Sequence, residues 1–113
     1  MSFTSWLKSF FTSRGKALSL YRSGMAKASQ RDYAGAVADY SAAIAAPQIP
    51  ADVKAMALYN RALAYSAMGA DAKAAEDLAA VLAMPDLPEN IKMAAQQRRE
   101  RIRRRGEKTD QTE

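Results

Sequence analysis

Residues 20–56, LYRSGMAKASQRDYAGAVADYSAAIAAPQIPADVKAM, lie without a gap over residues 58–94, LYNRALAYSAMGADAKAAEDLAAVLAMPDLPENIKMA. In that register Tyr21 meets Tyr59, Ala36 meets Ala74, Asp39 meets Asp77, Pro47 meets Pro85, Pro50 meets Pro88 and Lys54 meets Lys92, each thirty-eight positions apart. Between the identities the chemistry is kept: Ile44 answers Leu82, Ile49 answers Leu87, Val53 answers Ile91 and Gly24 answers Ala62. Self-similarity at a fixed period of 20–50 residues marks stacked supersecondary units, none of which can bury its apolar face alone. A scaffold of that kind binds more readily than it catalyses.

Each unit reads as helix, tight turn, helix. Small residues stand where two antiparallel helices must approach, Gly24 and Ala28 against Ala36 and Ala43 in the first unit and Ala62 against Ala74 in the second. Large ones fill the remaining space, with Leu20, Tyr40 and Ile44 answered by Leu58, Leu78 and Leu82. Close packing needs that alternation. Breaks at Gly15, Gln30-Arg31, Pro47–Pro50, Gly69 and Pro85–Pro88 predict helices over 3–13, 16–29, 32–46, 50–67, 70–84 and 88–105. Pro50 and Pro88 suit a first helical turn, where a missing N–H is harmless. Residues 106–113 carry no apolar anchor and read as a disordered tail.

Composition narrows the chemistry. The 113 residues contain no cysteine and no histidine. That excludes disulfides, thiol or imidazole nucleophile activation and the commonest metal ligands. No catalytic residue, metal site or cofactor is expected. Asp39 and Asp77, being repeat-equivalent, read as solvated helix positions rather than as a paired-carboxylate site. The net charge of +5 is localised: residues 1–97 hold ten basic and eight acidic side chains, residues 98–108 seven and two, and Asp110 and Glu113 complete the total. No segment reaches the ~18–20 apolar residues of a membrane span, and the N-terminus lacks a signal-peptide pattern, so a cytoplasmic protein, peripheral to a membrane at most, is expected.

The strings YRSGMAKASQRDYAGAVADYSAAIAAP and YNRALAYSAMGADAKAAEDLAAVLAMP resemble two tetratricopeptide repeats, over about residues 17–86. Each has an aromatic-led first helix, a small residue eight positions before the turn (Gly24, Ala62) and an Ala-centred second helix (Ala36, Ala74) closed by proline. Tyr40 and Leu78 match the family's large apolar position four residues on. The family's unit is about 34 residues, so about four extra sit in the Pro47–Pro50 connection, and Lys27 stands where the family often has tyrosine, as Tyr65 does. The resemblance implies an all-α helical-repeat solenoid. Its parts are an N-terminal helix over 1–15, repeats over 16–49 and 50–87, a basic capping helix over 88–105 and the tail.

Such arrays hold a peptide or helix on the concave face lined by each unit's first helix. Carried over by position, the groove residues are Tyr21, Arg22, Met25 and Ser29 with Met56, Tyr59, Asn60, Leu63 and Ser66. Asn60 is the sharpest candidate, because an amide both donates and accepts and can pair with a peptide backbone; the alternative is that it merely satisfies a neighbouring helix turn. Arg22 could receive a carboxylate, or be solvated. The lysines and arginines of a two-carboxylate clamp are incomplete.

Both ends carry further candidates. Phe3, Trp6, Leu7, Phe10 and Phe11 form one apolar stripe on a segment too short to be a stable isolated helix in water. It needs a surface: the first unit or its groove, a second copy of the chain, or a membrane interface or partner. Arg98, Arg99, Arg101, Arg103, Arg104 and Arg105 could attract phosphates or anionic lipid. No aromatic residue interleaves them, so specific nucleic-acid binding has no support. The expected function is that of a protein–protein adaptor; the competing one is a membrane-surface or anionic-polymer tether acting through the two ends.

Overall fold

A computed structural model describes the backbone of residues 3–112 and the side chains of Thr4 and residues 14–108. Five helices follow one another: α1 Phe3–Ser29, α2 Tyr33–Ala45, α3 Ala51–Ala67, α4 Asp71–Leu82 and α5 Glu89–Thr112. There is no strand among the described residues. Each helix packs on its neighbour in sequence, α1 also approaches α3, and α3 also approaches α5, whereas the backbones of α2 and α4 stay apart. The odd helices therefore neighbour one another on one side and the even helices stand apart on the other, an arrangement compatible with a helical repeat. The radius of gyration, 16.1 Å, exceeds the ~13 Å of a compact chain of this length.

Backbone features recur at the register read from the sequence. The φ angles of Arg31 (65°) and Gly69 (79°) are both positive, and so are those of Gln48 (61°) and Asp86 (59°). At the first turn Asp32 N–H bonds the Lys27 carbonyl at 2.9 Å and Arg31 N–H the Ala28 carbonyl at 3.0 Å. At the second, Ala70 bonds Tyr65 at 2.8 Å and Gly69 bonds Ser66 at 3.0 Å. Both are Schellman closures with a left-handed residue after the helix. Asp32 then caps α2 by accepting from Gly35 N–H at 3.0 Å, and a Cβ on Gly35 would lie 2.3 Å from that carboxylate. Pro50 sits at the cap of α3, one position before the first turn, and its carbonyl receives Lys54 N–H at 2.9 Å.

Arg31 carries a conformational cost that Gly69 does not, since a left-handed residue with a side chain is strained by about 1–2 kcal/mol. Arg31→Gly should therefore stabilise the protein by about 0.5–1 kcal/mol, the gain being reduced by the freer unfolded chain. Gly69→Ala should act in the opposite sense. Urea midpoints of the two variants check this.

Two apolar clusters mirror one another. Ala36, Tyr40, Ala43 and Ala57 are buried in the first, and their equivalents Ala74, Leu78, Val81 and Ala95 in the second. Ile44 touches both. In the first, Tyr40 is 1% exposed, its ring 6.0 Å from that of Tyr21, and it lies directly over Gly24, where a Cβ would come within 2.6 Å of it. In the second the sizes are exchanged, Ala62 and the smaller Leu78 standing at the equivalent positions of one buried cluster.

Two expectations are corrected. Residues 3–29 form one helix, not two with a break at Gly15. A single helix-interior glycine costs only about 1 kcal/mol and does not by itself end a helix. The tail is helical through Thr112 rather than disordered, and Arg103 pairs with both Glu100 and Glu107 along it, at spacings that support a helix.

Candidate functional site

The carboxylates at 39 and 77 tie helices together rather than facing solvent, contrary to expectation. Asp77 is 5% exposed and takes a bidentate pair from Arg61, Nε at 2.8 Å and Nη2 at 2.7 Å. The third arm of the guanidinium donates to the Ser41 hydroxyl at 3.0 Å, so one side chain on α3 joins α2 and α4. Its Cζ lies 5.7 Å from the Tyr65 ring centroid, with Lys73 Nζ 5.6 Å from the same centroid. The Asp77 hydrogen bonds raise the Arg61 pKa above the ordinary arginine value. In the first unit Asp39 instead accepts from the Ser23 hydroxyl at 2.5 Å and pairs with Lys27 Nζ at 3.0 Å. The Ser23 hydrogen bond, assisted by Lys27, holds the Asp39 carboxyl below its usual range. The unit thus keeps its acid and moves its cation by one helical turn, Ser23 and Lys27 standing where the second unit has Arg61 and Tyr65. That exchange accounts for the lysine at 27.

With the interior bound in this way, the odd-helix layer is left to present the groove candidates. Met56, Tyr59 and Asn60 are brought together with Asn90, Ile91 and Ala94 of α5 around a cleft of about 250 Å³. Tyr59 also borders a smaller one of about 130 Å³ with Ala94, Gln97, Arg98 and Arg101. Met25 and Met56 stay exposed, at 46% and 38%. Arg22 is exposed and Leu63 half-buried.

Other candidates are engaged elsewhere. Tyr21 is buried, and its hydroxyl accepts from Asn60 Nδ2 at 2.9 Å. Burial raises the Tyr21 pKa, against the lowering effect of that bond. One N–H of Asn60 therefore bridges α1 and α3 and is not open to a peptide backbone. Ser29 donates to its own helix at Ala26. Ser66 accepts from Arg105, which also pairs with Asp71 at 2.8 Å. The stripe Phe3, Trp6, Leu7, Phe10 and Phe11 lies outside the described side chains.

The basic segment divides. Arg103 and Arg104 pair with Glu100 and Arg105 with Asp71, whereas Arg98, Arg99 and Arg101 make no ion pair among the described residues. Arg98 and Arg101 line the smaller cleft beside Tyr59. The sequence reading assigned α5 a capping role and missed Asn90, Ile91, Ala94 and Gln97 as lining residues. The same register contained the signal, since Ala94 answers Met56, Gln97 answers Tyr59, Arg98 answers Asn60 and Arg101 answers Leu63. Among the described residues no cluster of acidic side chains could hold a metal ion, and no helix is long and apolar enough to cross a membrane. No protein-family model, curated protein or solved structure matches the chain.

Proposed function

We propose that the chain is a short tetratricopeptide-like array of two units and a half, acting as a protein–protein adaptor that holds a peptide or helix against α1, α3 and α5. The observation that carries this reading is the cleft between α3 and α5, walled by Met56, Tyr59, Ile91 and Ala94, on the layer where Met25 and Met56 stay exposed. Methionine side chains are adaptable and recur on surfaces that accept other chains. A volume of about 250 Å³ is below the ~300–1,000 Å³ of small-molecule sites and suits a single large side chain of a partner. The tether reading draws less support, because Arg103, Arg104 and Arg105 are neutralised by neighbours.

The combined variant Met56→Glu and Leu63→Glu places carboxylates at positions that are exposed or half-buried, so helicity should be kept. Affinity purification followed by mass spectrometry should then lose the principal partners of the wild-type protein. Recovery of the same proteins at the same yield would remove the groove from the account.

A further inference from the structure

We infer that this groove, if it binds protein as proposed above, selects a segment in which one bulky apolar side chain is flanked by side-chain carboxylates. The apolar requirement comes from the cleft of Met56, Tyr59, Ile91 and Ala94. The acidic requirement comes from what adjoins it. Arg98 and Arg101 line the neighbouring cleft on the far side of Tyr59 and Ala94, so a side chain seated in the first cleft brings the next residues of its chain to two guanidinium groups.

No acidic side chain lines either cleft. Glu100 borders Arg101 around a further cleft with Gln96, Gln97 and Arg104, but its carboxylate is taken by Arg103 and Arg104. Positions 22, 60 and 98 read Arg, Asn, Arg and positions 25, 63 and 101 read Met, Leu, Arg down the three odd helices. The acids that could neutralise α5 serve its other arginines, Glu100 holding Arg103 and Arg104, and Glu107 holding Arg103. Arg98 and Arg101 have no carboxylate partner among the described residues. Guanidinium groups match carboxylates through bidentate hydrogen bonds that are stronger than neutral ones, and uncompensated positive potential also steers acidic partners. A membrane surface or a phosphate backbone would use the arginines alone and leave the apolar cleft without a role.

The test is selection of random peptides on the full chain, displayed as N-terminal phage fusions so that no free C-terminal carboxylate is present. Asp and Glu should be enriched several-fold beside Leu, Ile, Phe or Trp. The best sequences, synthesised as amidated fluorescent peptides, should bind at least tenfold more weakly to Arg98→Gln/Arg101→Gln. They should also weaken with rising salt and be lost with Asn90→Trp, which fills the cleft from an exposed position. Peptides that need the cleft but show no acidic enrichment, or ignore the arginine variant, would overturn the selectivity and leave the groove standing. Failure to select any peptide sensitive to Asn90→Trp would overturn both. Arginine-dependent binding to phosphatidylserine–phosphatidylcholine vesicles without any such peptide would transfer the arginines to an anionic surface and likewise end the proposal.

Discussion

Arg61→Leu is expected to destabilise the protein by about 2–3 kcal/mol, at or just below the lower limit of what breaking a fully buried ion pair costs. The variant leaves Asp77, 5% exposed, without its two guanidinium hydrogen bonds, and removes the bridge to Ser41. The figure sits at the lower end because Arg61 keeps 20% of its side chain in contact with water. Asp77→Leu should cost less, about 1–2 kcal/mol, since the long arginine stem lets its head reach solvent. Combining the two removes the uncompensated charge, and such replacements of buried pairs by apolar residues are often near neutral. The double variant should therefore be more stable than Arg61→Leu alone, with a coupling of roughly 2–3 kcal/mol or more. Strict additivity in urea melts would mean that the pair does not hold α3 to α4.

Gly24→Ala should destabilise by about 1–3 kcal/mol through overpacking, even though alanine is the better helix former by about 1 kcal/mol. The reason is the Tyr40 ring, 2.6 Å from where the new Cβ would lie and 1% exposed, so it has nowhere to move. The second unit contains the remedy, for there alanine at 62 and leucine at 78 occupy the equivalent positions of one buried cluster. Gly24→Ala with Tyr40→Leu should accordingly recover about 1 kcal/mol or more relative to Gly24→Ala alone. No recovery would show that the equivalence of the two units in sequence does not extend to their packing.

Helix positions were legible in the sequence because turn chemistry is local. Gly69 and the prolines at 47, 50, 85 and 88 mark the breaks, and observed helix ends fall within two residues of the expected ones wherever such punctuation stands. Gly15 misled because nothing beside it, neither a cap nor a proline, reinforces a stop. The tail misled because its helix is supported by Glu100 and Glu107 pairing with arginines at three- and four-residue spacings, a charge pattern rather than an apolar one. Asp39 and Asp77 were misread for a different reason. Recurrence at the repeat period is expected both of solvated positions and of ties between helices; only the shifting of the cation from Arg61 to Lys27 separates the two, and it is visible once the helices are laid against one another. At the candidate site Met56, Tyr59 and Asn60 were placed by the resemblance, and Ala94, Gln97, Arg98 and Arg101 would have followed had the thirty-eight-residue register been used to carry the groove positions onto α5; Asn90 and Ile91 answer Asp52 and Val53, which carried no such signal.

The most direct measurement is site-specific photocrosslinking in living cells, with a benzophenone amino acid placed singly at position 56, 68 or 93. Met68 and Met93 are 51% and 49% exposed and line neither groove cleft, whereas Met56 is 38% exposed and lines the larger one. Random collision therefore favours the two outer positions. A binding groove on the odd-helix layer predicts a discrete protein adduct from position 56 and none of that identity from 68 or 93; the same adducts in equal yield from all three, or adducts from the outer positions alone, would contradict it.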